Sequence, residues 1–155
     1  MATIYLDSSD TFTLSGAASV FGSTGTEKLI INSGATGVVV DQNVERVDLA
    51  GASSAFTFQA AGNSLKVYSG TTLVATIPVQ PDADGTQVVF SNGSANAVIN
   101  ATTGAITLGG AAVTSTAAAV TPTTIDATVT SGSGSSTGGT TTGQTFSLTT
   151  AVETK

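Results

Sequence analysis

Apolar residues along this chain come in short clusters separated by Gly, Asn, Ser and Asp, with almost no 3.6-residue periodicity. Short alternating clusters bounded by turn formers are the pattern of many short β-strands. Strands are expected at 3–6, 11–15, 28–32, 37–40, 46–49, 55–59, 64–68, 72–78, 86–90, 97–100 and 105–108. Many of these segments are β-branched or aromatic, which suits a pleated, half-buried surface. The clearest unit runs from Phe56 to Tyr68. Phe56 and Phe58 share one face by alternation, as do Leu65 and Val67, and Gly62-Asn63 between them supplies the positive φ of a tight turn. With Ser69-Gly70-Thr71 and the following apolar run, this predicts a three-stranded antiparallel meander. Asn92-Gly93 and Thr103-Gly104 mark two further turns.

The expected fold class is therefore all-β, as a β-sandwich or a short β-solenoid with antiparallel hairpins. The hairpins favour antiparallel pairing in the middle, while the short strands up to Leu49 suit solenoid rungs. After Val113 the character changes. Small residues fill 114–119, and Pro122 interrupts any regular element. Residues 131–144 are almost wholly Ser, Gly and Thr and bury too little apolar area to offset ordering entropy, so a flexible linker is expected there. A strand pattern returns in Thr145-Phe146-Ser147-Leu148-Thr149, which repeats the alternation of Thr11-Phe12-Thr13-Leu14-Ser15. The organisation expected is a β domain over 1–130, a linker over 131–144 and a C-terminal strand over 145–155.

Composition narrows the function. Thr, Ser, Gly and Ala make up more than half of the 155 residues, and only 9% of residues are charged. The net charge is -6, and the basic residues Lys28, Arg46, Lys66 and Lys155 are scattered singly, which argues against a nucleic-acid partner. Cys, His and Trp are absent. Without Cys there is no disulfide framework, and without His the commonest general base and metal ligand are missing. No enzymatic activity is expected: the Ser and Thr runs have no partner base, and Gly109-Gly110 and Gly138-Gly139 lack the Lys and helix of a phosphate loop. No apolar run approaches the length of a membrane helix, so no membrane span is expected. The first residues lack the basic start and long apolar stretch of a cleavable secretory signal, so export, if it occurs, reads another signal.

Several segments, taken together, resemble a known family. They are Gly25-Thr26-Glu27-Lys28-Leu29, Gly37-Val38-Val39-Val40-Asp41-Gln42-Asn43-Val44-Glu45, the Phe56 to Tyr68 unit, Asp82-Ala83-Asp84-Gly85-Thr86 and Ile106-Thr107-Leu108-Gly109-Gly110. Residues 11–113 look like a module of large bacterial proteins exported by type I secretion, among them RTX-like surface proteins, adhesins and surface-layer proteins. Residues 142–150 look like the start of a following module in such proteins, so the chain is expected to be a fragment or processed piece. The resemblance implies an extracellular, cell-surface location, export without an N-terminal signal, and frequent calcium dependence. The glycine-aspartate nonapeptide that binds calcium in RTX β-rolls is absent, so calcium would need other ligands.

Asp82-Ala83-Asp84-Gly85 offers such ligands. Two carboxylates at alternate positions before a Gly can fold round one hard cation, although an Asp-Gly turn has the same sequence. Asp7 with Asp10, and Asp41, Glu45 and Asp48, are weaker candidates; Arg46 is placed to pair with a carboxylate of the second group.

The leading expectation is a structural subunit of a self-assembling extracellular fibre or surface layer. It would form a homopolymer with copies of itself by β-strand exchange, through Phe146 and Leu148 on one copy and the slot of Phe12 and Leu14 on the next. The alternative is an adhesin or other ligand-binding module of a larger secreted protein. If Asp82 and Asp84 hold calcium only in the folded or assembled state, chelation will lower the melting temperature or dissolve the assembly, as measured by thermal unfolding or light scattering.

Overall fold

A computed structural model of the chain describes residues 1–81 and 85–121. Asp82 and Asp84, the expected linker and the expected C-terminal strand with Phe146 and Leu148 all lie outside the described residues. The described part is nearly all β and has no α-helix; its only helical element is a 3-10 turn at Ser53–Ala55. Among the described residues thirteen strands form two mixed sheets.

The first part of the chain alternates between the sheets. Strands β1 (Ala2–Tyr5), β3 (Ala18–Phe21) and β5 (Val38–Val40) lie in one sheet. Strands β2 (Thr11–Leu14), β4 (Lys28–Ile31) and β6 (Arg46–Leu49) lie in the other. Within each sheet these strands pair parallel, one circuit upon the next. Ala2 faces Ala18, Thr11 faces Lys28, Lys28 faces Arg46 and Ser19 faces Val39, so a circuit takes 16 to 20 residues.

After Leu49 the parallel winding changes. The chain makes the 3-10 turn and then an antiparallel meander of β7 (Thr57–Ala61), β8 (Ser64–Ser69) and β9 (Thr72–Pro78). Gly62 sits at φ 64° in the two-residue connection between β7 and β8. That value suits glycine and matches the strand twist of a tight hairpin turn. Strand β9 then pairs parallel with β5, and β10 (Thr86–Phe90) pairs parallel with β6, completing a fourth circuit. Three antiparallel strands extend the second sheet: β11 (Gly93–Ile99), β12 (Ile106–Leu108) and β13 (Ala111–Val113). The full orders are β1-β3-β5-β9-β8-β7 and β13-β12-β11-β10-β6-β4-β2.

Inward residues stack in ladders across the strands. Phe12, Leu29, Val47, Val88 and Ala95 form one; Leu14, Ile31 and Leu49 form a second; Ile4, Val20 and Val40 a third. They meet in one apolar cluster fed by both sheets. Its aromatic centre is Phe56, Phe58 and Phe90, with Phe58 edge-on to Phe90 at 6.1 Å between ring centroids.

The expected strands lie close to the observed ones, with three differences. Ala55 belongs to the 3-10 turn, and the strand that follows begins at Thr57. Strand β11 begins at Gly93, four residues before its expected start. Strands β3 and β13 were not expected, because Ala-Ser-Val-Phe and Ala-Ala-Val carry little apolar contrast. Phe58 is fully buried and in ring contact with two other phenylalanines, so Phe58→Ala is expected to cost about 3–5 kcal/mol in chemical unfolding.

Candidate functional site

Parallel winding brings together residues that are far apart in sequence. Three connections, at 6–10, 22–27 and 41–45, and the described residues 79–81 and 85 of a fourth carry the chain from the first sheet to the second. Because the strands they join are stacked in register, the connections pile up along one edge of the fold. Backbone hydrogen bonds tie each layer to the next. Lys28 N–H donates to the Asp10 carbonyl, Arg46 N–H to the Glu27 carbonyl and Gln87 N–H to the Glu45 carbonyl. Side chains add to this, with Gln80 Nε2 donating to the Gln42 carbonyl and to Glu45 Oε1.

This edge is acidic. Asp7, Asp10, Glu27, Asp41 and Glu45 lie on the first three connections. They are five of the chain's ten carboxylate side chains. Asp10 and Asp7 close a local turn, with Asp7 N–H donating to Asp10 Oδ2 at 2.8 Å and Asp10 N–H to the Asp7 carbonyl at 2.9 Å. Asp41 Oδ2 accepts from Gly22 N–H at 3.3 Å and from Asn43 Nδ2 at 3.1 Å. No group of three or more His, Cys, Asp or Glu residues placed to hold a metal occurs among the described residues.

Glu27 was not singled out by sequence reasoning, although a signal existed. Asp10, Glu27 and Glu45 each directly precede a strand of the second sheet, at the spacing of the circuits themselves. The pattern Asp-Thr-Phe-Thr-Leu, Glu-Lys-Leu-Ile-Ile, Glu-Arg-Val-Asp-Leu repeats charge position and alternation rather than residue identity.

Asp48, named above as a weak metal candidate, has another role. On the outer face of the second sheet Arg46 Nε and Nη2 donate to Asp48 Oδ1 and Oδ2 at 2.6 and 3.0 Å, and both side chains are almost fully buried. Lys28 lies beside Arg46 in register. Burial lowers the Lys28 ammonium below its ordinary 10.5; Asp48 opposes this and Arg46 adds to it. The unfolded chain therefore holds more protons than the folded one just below pH 10.5, so this lysine makes stability rise with pH there.

Phe12 and Leu14 lie on β2, the terminal strand of the second sheet. Leu14 is buried, and Phe12 is half-buried against the core. The Asp10 and Leu14 carbonyls accept from Lys28 and Asn32 of the next circuit, so Asp10, Phe12 and Leu14 direct their backbone groups inward along the sheet. By alternation Thr11 and Thr13 direct theirs to the other side, where no described strand pairs. Strand β1 ends the first sheet in the same way. The opposite end of that sheet is covered. Residues 114–118 run along β7, with Phe58 N–H donating to the Ala118 carbonyl, Ala118 N–H to Phe58 and Ala60 N–H to Thr114.

No helix among the described residues is long and apolar enough to cross a membrane. No protein-family model, no curated protein and no solved structure matches the chain.

Removing one partner of the Arg46–Asp48 pair leaves the other charge buried, and Asp48→Ala also leaves Arg46 beside Lys28 with less compensation. Asp48→Ala is expected to cost about 3–5 kcal/mol in urea unfolding. Arg46→Met with Asp48→Val is expected to cost much less than Asp48→Ala alone, since it removes both charges and keeps apolar volume.

Proposed function

We propose that this chain is a structural subunit of a self-assembling extracellular bacterial fibre or surface layer, its copies joined by β-strand exchange. The fold is read as a short two-sided β-solenoid of four circuits, closed at one end by antiparallel strands. The observation that carries the proposal is the difference between its two ends. At the far end residues 114–118 cover the β7 edge of the first sheet, and the second sheet ends in the three-residue antiparallel strand β13. At the β1–β2 end two parallel strands present backbone groups that no described strand pairs with. Such an edge is a template for another strand.

The expected donor is the strand at 145–149, tethered by the fourteen residues of 131–144. Fully extended, that tether spans on the order of 45 Å, more than the roughly 30 Å height of a seven-stranded sheet. A donor strand laid on β2 would extend two existing ladders, with Phe146 beside Phe12 and Leu148 beside Leu14. Backbone pairing supplies affinity and the apolar pair sets register. A contact between a tail and a different surface is head-to-tail, so it does not close on itself and propagates as a filament. Within this reading the chain is a module of RTX-like, type I-secreted proteins, located at the cell surface.

A second reading, an adhesin or ligand-binding module, draws on one observation. Tyr5 and Phe21 stack at 5.3 Å on the outer face of the first sheet, and Tyr5 is 76% exposed. Flat exposed aromatic surface is what sugar-binding modules offer.

Deleting 145–155 is expected to convert assemblies into folded monomers in electron microscopy and size-exclusion chromatography. Thr13→Pro removes an N–H that points to the unpaired side of β2 and spares the pairing with β4, so it is expected to block assembly with little loss of stability. Assembly of the truncated protein like that of the full chain overturns strand exchange. Dispersed monomers of the full chain favour the binding module.

A further inference from the structure

Among the described residues of the acidic edge, Glu27 has a buried carboxylate oxygen without a partner. Its side chain is completely buried. Oε2 accepts from Ser23 Oγ at 2.6 Å, but Oε1 has no hydrogen-bond partner. Lys28 and Arg46 do not supply one. Glu27 directly precedes Lys28, and alternation along the strand sends the two side chains to opposite faces. Arg46 is engaged with Asp48 on the outer face.

Glu27 Oε1 and the Asn43 carbonyl both border Gly22. A side-chain carbon placed on Gly22 would lie 2.8 Å from Glu27 Oε1 and 2.8 Å from both the carbon and the oxygen of the Asn43 carbonyl, so the two groups flank the space beside Gly22. The Asp41 carboxylate reaches the same glycine through its N–H. Glu27, Asn43 and Asp41 come from two successive connections, so the oxygens gather only once the third circuit has stacked on the second. A fully buried carboxylate oxygen with no hydrogen-bond donor is strongly unfavourable unless a cation or a proton joins it.

We propose that Glu27 Oε1, the Asn43 carbonyl and the Asp41 carboxylate form a calcium site between the second and third circuits. Calcium suits an irregular set of carboxylate and backbone carbonyl oxygens completed by water, whereas magnesium demands a near-ideal octahedron. With two carboxylates rather than three or four, affinity belongs to the weak range of extracellular modules, about 0.1–1 mM. The proposal does not involve Asp82 or Asp84 and does not depend on strand exchange.

The test is thermal unfolding of the full chain, stripped with chelator and then titrated with calcium chloride. At 10 mM calcium the melting temperature is expected to rise by about 5 °C. Glu27→Gln is expected to abolish the rise without lowering the calcium-free melting temperature, because the amide keeps an acceptor for Ser23 and gains a donor for the Asn43 carbonyl. Should that variant fail to fold, Asp41→Asn serves instead and is expected to shrink the rise several-fold. Asp82→Asn with Asp84→Asn is expected to retain it. No rise in the unaltered protein overturns the site. So does a rise retained in Glu27→Gln, or one abolished only by the Asp82 and Asp84 changes.

Discussion

The architecture depends on each circuit returning the chain to the same sheet in register, so that inward apolar residues fall on the ladder below. A parallel pair repeats at about 4.8 Å, and side chains alternate every residue. A slip of one residue would turn Leu29 and Ile31 outward and bring Lys28 and Ile30 inward. The connections between the sheets must therefore absorb all variation in circuit length. In the first three circuits they do so as loops of three to six residues whose backbones also hydrogen-bond from layer to layer. Those bonds continue the ladder beyond the strands, which explains how strands of three or four residues hold their register.

The same constraint explains which parts of the fold were legible in the sequence. Strands 46–49, 72–78 and 86–90 have strong alternation and clear flanking turns, and the structure places them at those bounds. Strand β3 was hidden because its inward positions are Ala18 and Val20 while its bulkiest residue, Phe21, faces outward onto Tyr5. The direction of pairing was less legible still. Antiparallel neighbours announce themselves by a short turn, as at Gly62-Asn63, whereas parallel neighbours are separated by a whole circuit through the other sheet. The segment compared with 11–15 from sequence was 145–149, yet the ladder partners of Phe12 and Leu14 are Leu29 and Ile31. Their resemblance lies in alternation alone, which a search for matching residues passes over.

The candidate site was hidden for a related reason. Each acidic cluster was weighed by itself, and each alone fits an ordinary turn. Only the winding shows that the clusters occupy one edge, and only burial distinguishes Glu27 from the rest. The structure also divides the carboxylates by role. Asp48, on a strand, is neutralised by Arg46 within the sheet, while those on the connections have no basic residue on the same loops. Stacking loops of like charge raises their mutual repulsion, an effect that a bound cation would reverse and that salt would screen.

The two ends of the stack differ for a reason built into the winding. A stack of parallel strands has a strand edge at each end, and both attract further strands unless covered. Here the later half of the chain abandons parallel winding and adds β7 and β8 to one sheet and β11, β12 and β13 to the other at the same end, with residues 114–118 running along β7. Growth by direct stacking of one copy's end on another would require the same surface to be both a cap and a template. The proposed strand exchange would avoid that conflict. A tethered strand would leave the covered end intact and carry its own backbone donors and acceptors to the β2 edge of a second copy. In the proposed filament each subunit's core would be complete before assembly, so folding and polymerisation would be separate steps.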